Sequence, residues 1–322
     1  MKFIDLHCDT LLRLKHSGGS LRENGYHVDL DRLHSADCLA QFFAIFLPVE
    51  RVDNPLAECL EMVDIFQCEL EKNSDIATFA EGAADLAKNE ENGKISAFLT
   101  IEDSGIIGGS PQILRVMHSL GVRLVTLTWN YKNSVGSPNT TPAFAAEGLT
   151  ENGRDFVAEM ERLGILVDVS HMSDAGFYDV TKICTRPFVA SHSNARAVAN
   201  CSRNLTDDML KILAEKGGVI GINYCGGFIR PRGGDTFAPF GNEDCGLGDV
   251  VSHIRHIVNV AGEDVVALGG DFDGISTTPS GLNEVSKVPA IAEALCSAGF
   301  TESFIEKLFY KNAMRVISEV CG

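Results

Sequence analysis

The sequence has no excess of positive charge, and this absence excludes two classes of partner. Its 44 acidic residues outnumber its 27 basic ones, which gives a formal net charge of −17. Nucleic acids and anionic membrane surfaces are bound through clustered Lys and Arg side chains. We therefore expect neither a nucleic-acid nor a membrane partner, and we expect a small-molecule substrate.

Long apolar runs are absent as well. No stretch approaches the roughly 18 residues that a bilayer span needs, and Met1-Lys2 leads directly into the first apolar run without a separate signal region. The ten cysteines are spread along the chain, several of them in helix-like segments, which favours reduced thiols over a disulfide framework. These features predict a cytoplasmic protein.

No internal repeat, low-complexity tract or charged linker divides the chain, so we expect one domain over residues 1–322. Short β-rich apolar runs alternate with helical patterns throughout, which is typical of parallel strands joined by crossover helices. The length and the 45% hydrophobic content suit one α/β barrel. The predicted fold is a (β/α)8 TIM barrel with strands at 2–7, 39–47, 95–101, 123–128, 165–171, 188–192, 219–224 and 265–271.

Helices are predicted between these strands and after the last one. Asn54-Pro55 begins one that runs to about residue 72, and Thr206 caps another that runs to residue 216. Two more are expected at 289–298 and 302–319. Long loops at 17–36, 131–149 and 225–248 are expected to shape the mouth of the barrel.

Three histidines each end an apolar run: His7 in FIDLHCDT, His171 in ILVDVSH and His192 in PFVASH. One histidine at a strand end is more often a structural residue than a ligand, but three of nine make coincidence much less plausible. The carboxyl ends of barrel strands converge on one face, where active sites lie. His7 and Asp9 are two residues apart, so both could reach one cation from the same side of a strand.

Carboxylates end two further runs. Glu102, in AFLTIED, could bridge two cations with its two oxygens, and Asp103 competes for this role. In VVALGGDFDG, Asp271 is nearest the strand end and is the preferred base for an attacking water. Asp273 is then a turn former or a supporting residue.

One arginine follows the sixth strand at a loop-to-helix junction. Arg203, in CSRNLTDD, has the planar fork that suits a substrate carboxylate, and Arg196 is a rival candidate.

These motifs, in this order, resemble the renal or membrane dipeptidase family of zinc peptidases, from about residue 3 to the C-terminal KNAMRVI. The resemblance implies an amidohydrolase-type barrel that cleaves dipeptides through a hydroxide bridging two Zn²⁺ ions. Bacterial members often accept a D-residue at the C-terminal position. Asp271 falls on the family's proton-handling aspartate, and Arg203 on the arginine that receives the terminal carboxylate. The implied metal ligands are His7, Asp9 and a bridging Glu102 for one ion, with His171 and His192 for the other.

The chain departs from this pattern at two substrate-contacting positions. Trp129, in LVTLTWN, stands where better-known members have a histidine near the scissile carbonyl, and an indole can donate a hydrogen bond but cannot change charge. We expect the role of that histidine to be altered or passed to Asn130. Phe228 stands where mammalian members carry a tyrosine. These departures affect the expected substrate preference and leave the metal ligands intact.

Two other functions stay open at this point. Related hydrolases that act on lactones, cyclic amides, N-acyl amino acids or phosphotriesters often have HxH on the first strand and a modified lysine as bridge, whereas this chain has HxD and no lysine at the third or fourth strand end. A non-catalytic metal-binding barrel would have no need of a free aspartate beside a full ligand set. A homodimer is compatible with the sequence.

Overall fold

Eight parallel strands close into a barrel in the computed structural model, which describes residues 1–230 and 244–322. A ninth, short strand extends the sheet outside the barrel. In chain order the described strands are β1 (Phe3–Cys8), β2 (Cys38–Phe46), β3 (Ala77–Phe79), β4 (Ile95–Glu102), β5 (Val122–Thr126), β6 (Leu166–Asp168), β7 (Val189–Ser193), β8 (Val219–Ile222) and β9 (Val266–Leu268).

The sheet runs in the order β2-β1-β9-β8-β7-β6-β5-β4-β3, and a further pairing of β2 with β4 closes it. Every paired strand is parallel. The predicted TIM barrel is therefore confirmed, and β3 is an addition that the strand count from sequence omits. β3 pairs only with β4, at the outer edge.

Helices surround the barrel. They are α1 (Thr10–Ser17), α2 (Leu30–Ser35), α3 (Pro55–Lys72), α4 (Ala83–Glu91), α5 (Pro111–Ser119), α6 (Glu151–Leu163), α7 (Asp174–Ile183), α8 (Asp207–Glu215), α9 (Gly226–Ile229), α10 (Leu247–Ala261), α11 (Pro289–Ser297), α12 (Glu302–Glu306) and α13 (Asn312–Val320). Among the described residues, no helix combines the length and apolar character needed to cross a membrane.

The capping residues begin the helices where the sequence predicts. The Asn54 side chain accepts a hydrogen bond from the Ala57 N–H at the start of α3, and Thr206 does the same for Met209 in α8. The helix predicted over 302–319 contains a π-helical segment, Lys307–Lys311, between α12 and α13. Of the predicted loop 225–248, residues 226–229 form α9 and residues 231–243 lie outside the described residues.

Five strands end earlier than predicted. β2 ends one residue early at Phe46, β5 and β8 end two residues early at Thr126 and Ile222, and β6 and β9 end three residues early at Asp168 and Leu268. His171 and Asp271 have φ angles of 65° and 61°, a left-handed conformation that cannot continue an extended strand. These two residues therefore lie on turns just beyond their strands.

Apolar side chains fill the barrel interior below those turns, with Phe42 and Phe98 stacked at a centroid distance of 4.6 Å. Residues of α13, including Val316 and Ile317, pack against the same interior cluster. Cys8 faces the other way, into the layer between strands and helices, although Ile4 and Leu6, at the same parity along β1, lie in the interior cluster. The register of β1 against β2 is irregular between Asp5 and Cys8, so simple alternation does not hold there. The apolar filling leaves the carboxyl end of the barrel to polar side chains.

Candidate active site at the carboxyl end of the barrel

Glu102 stands between two groups of predicted ligands. Its Oε1 atom lies 3.0 Å from His171 Nε2 and 3.3 Å from His192 Nε2. Its Oε2 atom lies 3.2 Å from His7 Nε2, which is 3.5 Å from Asp9 Oδ2. The structure thus brings together all five predicted ligands, one group at each oxygen of the same carboxylate.

Asp103, the rival of Glu102, faces away from this cluster. Its Oδ1 atom accepts hydrogen bonds from the Gly105 N–H at 2.7 Å and from Asn133 Nδ2 at 2.6 Å. Burial raises the pKa of Asp103 to about 6. Asp103 therefore supports the turn after β4, and Glu102 is the residue that enters the centre.

The centre gathers three buried carboxyl groups. Asp9, Glu102 and Asp271 are all buried there, and Arg203 is the permanent cation beside them. Burial by itself lowers the pKa of His7, but the carboxylates of Glu102 and Asp9 outweigh it and raise that pKa well above its usual value. Buried charges need partners, so this cluster has the electrostatics of a cation site.

Unpartnered atoms point to the same conclusion. Both ring nitrogens of His7 and the Oδ1 atom of Asp9 are buried without a hydrogen-bond partner among the described residues. The short contacts of His7 Nε2 with carboxylate oxygens do not have hydrogen-bond geometry. Buried polar atoms are almost always satisfied, so these atoms fit the ligands of an ion.

The other two histidines are held in a neutral form. Burial, together with Arg203, lowers the pKa of His171 to about 4. Burial, His7 and Arg203 lower the pKa of His192 well below its usual value. A neutral imidazole is the form that binds a metal ion.

A buried relay orients His192. The Oγ atom of Ser191 lies 2.7 Å from His192 Nδ1 and 2.6 Å from Asp168 Oδ2. Because the Ser191 hydroxyl donates to the carboxylate, its oxygen accepts from Nδ1–H, which leaves the Nε2 lone pair directed at the centre. Asn130 acts similarly on His171, with its Oδ1 atom 3.0 Å from Nδ1.

Asp271 lies on the His7 side of the centre. Its Oδ2 atom accepts a hydrogen bond from Asn223 Nδ2 at 2.8 Å, and its Oδ1 atom is 3.9 Å from His7 Nε2. Burial and the charges of Asp9 and Glu102, opposed by His7 and Arg203, raise the pKa of Asp271 to about 8. A carboxylate of this kind can both accept and return a proton near neutral pH.

Asp273 lines the same cavity as Asp271 but is held by different partners. Its φ is 70°, and the period of two does not apply to a left-handed turn. Its Oδ2 atom accepts from Thr10 Oγ1 at 2.6 Å and its Oδ1 atom from the His27 N–H at 2.7 Å. Asp273 therefore ties the turn to α1 and to the loop before α2.

A cavity of about 280 Å³ opens above the centre. Trp129, Asn130 and Phe228 lie in its wall, and the ring centroids of Trp129 and Phe46 are 4.8 Å apart. The remaining lining residues are Asp9, Leu12, Arg13, Phe46, Glu102, His171, Cys225, Asp271, Asp273, Gly274, Ile275 and Ser276.

Arg203 lies beside this cavity and not in its wall. Only 4% of the residue is exposed, and its guanidinium carbon is 5.4 Å from the centre of the Phe228 ring. Its Nη atoms donate to Ser193 Oγ and to the His192 carbonyl, while Nε has no partner among the described residues. The rival Arg196 is paired with Asp174 by two contacts of 2.8 Å and lies outside the lining of the cavity.

Sequence reasoning missed four residues of the site. Asp168 and Ser191 adjoin the histidine motifs, and Asn223 directly follows β8, so the same strand-end position that singles out the histidines could have identified all three. Arg13, one helical turn after Asp9, could have been found from the spacing alone.

Comparison with known proteins identifies the class to which this centre belongs. The profile described as membrane dipeptidase, peptidase family M19, matches residues 1–321. The chain belongs to this family. The predicted family and enzyme class, a metallo-dipeptidase, are thereby confirmed.

Three relatives show how far the similarity extends. An uncharacterised dipeptidase of Schizosaccharomyces pombe is 34% identical over 310 residues, covering 91% of this chain and 73% of that protein. The solved metallopeptidase dipeptidase AC is 29% identical with a TM-score of 0.91, covering 100% of this chain and 99% of that one. A Rhodobacter sphaeroides metallopeptidase, bound to a phosphinate mimic of L-Ala-D-Ala, is 28% identical with a TM-score of 0.88 over 99% of both chains.

Proposed function

We propose that this dipeptidase hydrolyses its substrate at a two-zinc centre bridged by Glu102. The observation that carries the proposal is the position of the two Glu102 oxygens. One faces His171 and His192 and the other faces His7 and Asp9. A carboxylate so placed can share its oxygens between two ions.

The spacing of the donor atoms fits this assignment. Zinc binds imidazole nitrogens and carboxylate oxygens at about 2.0–2.2 Å, so two ligands at a tetrahedral angle lie roughly 3.4 Å apart. The observed separations are 3.0–3.3 Å around Glu102 Oε1 and 3.2–3.5 Å around His7 Nε2. A nitrogen and oxygen donor set without thiolate also suits zinc in a catalytic site.

When bound, the ions would supply a water acidified to a pKa of about 7 and a polarised peptide carbonyl. Asp271 would take the proton of that water and return it to the departing amine. Asn223 fixes the Oδ2 atom of Asp271 by its hydrogen bond, which leaves the Oδ1 atom directed towards His7. The burial of Asp271 and its nearness to Asp9 and Glu102 favour its protonated form, which a group that takes up a proton in this centre requires.

The size and the lining of the cavity favour a very short substrate. A cavity of about 280 Å³ is at the small end of ligand sites, and Phe46, Trp129 and Phe228 give it an apolar, aromatic lining. We assign the terminal carboxylate of the dipeptide to Arg203, whose buried Nε–H has no partner among the described residues and which lies against the Phe228 ring at one end of the cavity. Trp129 and Asn130 then lie beside the substrate near His171.

The stereochemistry at the C-terminal residue follows by analogy. The ligand of the Rhodobacter sphaeroides relative mimics L-Ala-D-Ala. We therefore include acceptance of a C-terminal D-residue in the proposal. A cytoplasmic location and a homodimer stay predictions from the sequence.

A screen of L,L- and L,D-dipeptides against zinc-supplied protein tests the proposal. We expect hydrolysis of dipeptides, its loss on chelation and its return when zinc is restored. N-acyl amino acids, lactones and cyclic amides serve as comparison substrates for the rival hydrolase function. Zinc-loaded protein that cleaves one of these classes and no dipeptide would contradict the proposal.

A further inference from the structure

Arg13 is the arginine in the wall of the cavity, and no lysine accompanies it among the described lining residues. Arg13 lies in α1, four residues after the N-cap residue Asp9. Residues four apart lie on the same face of a helix, so Arg13 and Asp9 share one face. Its Nε atom donates to the Asp273 carbonyl at 2.9 Å. That hydrogen bond fixes the stem of the side chain at the rim of the site.

The outer part of the Arg13 guanidinium is unpaired. Among the described residues no carboxylate oxygen lies within the 4.0 Å of an ion pair, and no group accepts a hydrogen bond from its Nη atoms. Arg196, by contrast, has both Nη atoms on Asp174. Arg13 is exposed at the rim of the cavity, so these Nη atoms are open to solvent and to a ligand. In a protein with a net charge of −17, an arginine that lines a substrate cavity and faces no carboxylate among the described residues has the chemistry to bind an anion.

Arg13 and Arg203 approach the centre from different sides. Arg13 follows β1 and Arg203 follows β7, and β9 and β8 separate these two strands in the barrel. Glu102 comes from β4, which is two strand steps from β1 and three from β7 around the barrel. A dipeptide held at Arg203 that passes over the Glu102 centre can therefore extend to the β1 side, where Arg13 lies. With the terminal carboxylate at Arg203, the opposite end of the dipeptide points towards Arg13.

We infer that Arg13 binds an acidic side chain on the N-terminal residue of the substrate, which makes dipeptides that begin with Asp or Glu the preferred class. This inference rests on the proposed dipeptidase function and on the place of Arg203 in it. It concerns specificity and not the chemical step, because Arg13 does not contact the Glu102 centre among the described interactions.

A purely structural role for Arg13 is the alternative to be tested. Through the Asp273 carbonyl, Arg13 could simply clamp the turn that carries Asp271. Such a clamp would affect every dipeptide equally, whereas a carboxylate receptor affects only acidic ones. The ratio of two kcat/KM values therefore separates the two roles.

The test uses two isosteric pairs of substrates, Asp-Ala with Asn-Ala and Ala-Asp with Ala-Asn, and zinc-loaded protein. For the wild-type enzyme we expect kcat/KM to be about tenfold higher for Asp-Ala than for Asn-Ala, the size of one charge-assisted hydrogen-bonded contact. Arg13→Gln should remove this preference, and Arg13→Lys should keep part of it. Arg162→Gln is the matched control, because it removes one exposed charge, paired with Glu159 in α6, outside the cavity lining. It should keep the wild-type ratio.

Two results would overturn the inference: an unchanged ratio of kcat/KM for Asp-Ala over Asn-Ala in Arg13→Gln, whether or not both values fall, or an acid preference confined to the Ala-Asp pair. Wild-type turnover of Asn-Ala without any preference for Asp-Ala would also overturn it while leaving the dipeptidase proposal intact. Failure of the zinc-loaded wild type to cleave any of the four dipeptides would instead count against the proposed function.

Discussion

Removal of one hydroxyl behind His192 should weaken metal binding without touching a ligand. In Ser191→Ala the relay from His192 Nδ1 to Asp168 is broken, because both contacts of 2.7 Å and 2.6 Å are made by the same Oγ atom. His192 keeps its place at the end of β7, but the proton on Nδ1 loses its acceptor. The preference for the tautomer that directs the Nε2 lone pair at the centre is then lost.

The structure sets the size of this effect. His192 is fully buried, so an Nδ1–H left without a partner costs about 1–3 kcal/mol. Since about 1.4 kcal/mol is a factor of ten, the affinity for the ion held by His171 and His192 should fall roughly 10- to 100-fold. Affinity of the His7 and Asp9 side should change less, because those residues have no contact with Ser191 among the described interactions.

Chelator-buffered zinc titrations, with metal content measured by mass spectrometry, provide the assay. Thr126→Val is the matched control, since Thr126 donates to the same Asp168 oxygen at 2.7 Å but does not contact His192. It should retain most of the affinity. Equal losses in the two variants, or wild-type affinity in Ser191→Ala, would refute the relay.

Three further predictions follow from other parts of the structure. Asp271→Asn should keep two metal ions while kcat falls at least about 100-fold, because the proton acceptor is gone; full turnover in steady-state assays would disprove that role. In Gly274→Ala the added Cβ would lie 2.1 Å from Asp9 Oδ2 and 2.6 Å from Asp271 Oδ1. The amount of bound metal and the activity should therefore both fall. Wild-type values of both would contradict the close packing of Gly274 against these two carboxylates. Burial lowers the pKa of His253 from 6.5 to about 4, so its stability contribution is present above pH 6.5 and is lost as the pH falls towards 4. The free energy of unfolding, measured by urea titration, should fall by about 1 kcal/mol between pH 7 and pH 5.5. His253→Gln cannot take up this proton, so its free energy of unfolding should fall less over the same range. The same pH dependence in the variant as in the wild type would contradict the assignment.

The positions of the metal-type residues could be predicted because they depend on topology. Parallel strands in a closed barrel bring their carboxyl ends to one face, so residues that end apolar runs meet wherever they lie in the sequence. His7, Glu102 and His192 lie within strands and follow this rule directly. His171 and Asp271 lie beyond their strands in left-handed turns, and the rule locates them only because those turns are short.

The choice between neighbouring acids could not be made from the periodicity of the strand, since it depends on strand register, and only the family resemblance favoured Glu102. Glu102 pairs with Phe46 on one side and with Thr126 on the other, and this register turns Glu102 inward while Asp103 continues into the turn. A shift of one residue would have exchanged their roles.

The surroundings of Arg203 were equally beyond sequence reasoning. The short helix α9 places the Phe228 ring against the guanidinium, so an arginine predicted at the open mouth lies 96% buried beside the cavity. Tertiary packing of a loop segment decides this position, and no local pattern in CSRNLTDD indicates it. Arg13, on a regular helix next to Asp9, is the arginine that reaches the cavity wall.

Anomalous diffraction at the zinc edge, from crystals of the zinc-supplied protein, tests the central claim most directly. The bridging position of Glu102 predicts two peaks, one within bonding distance of His7, Asp9 and Glu102 and the other within bonding distance of His171, His192 and Glu102. A single peak, or peaks that do not share Glu102, would contradict the two-metal centre.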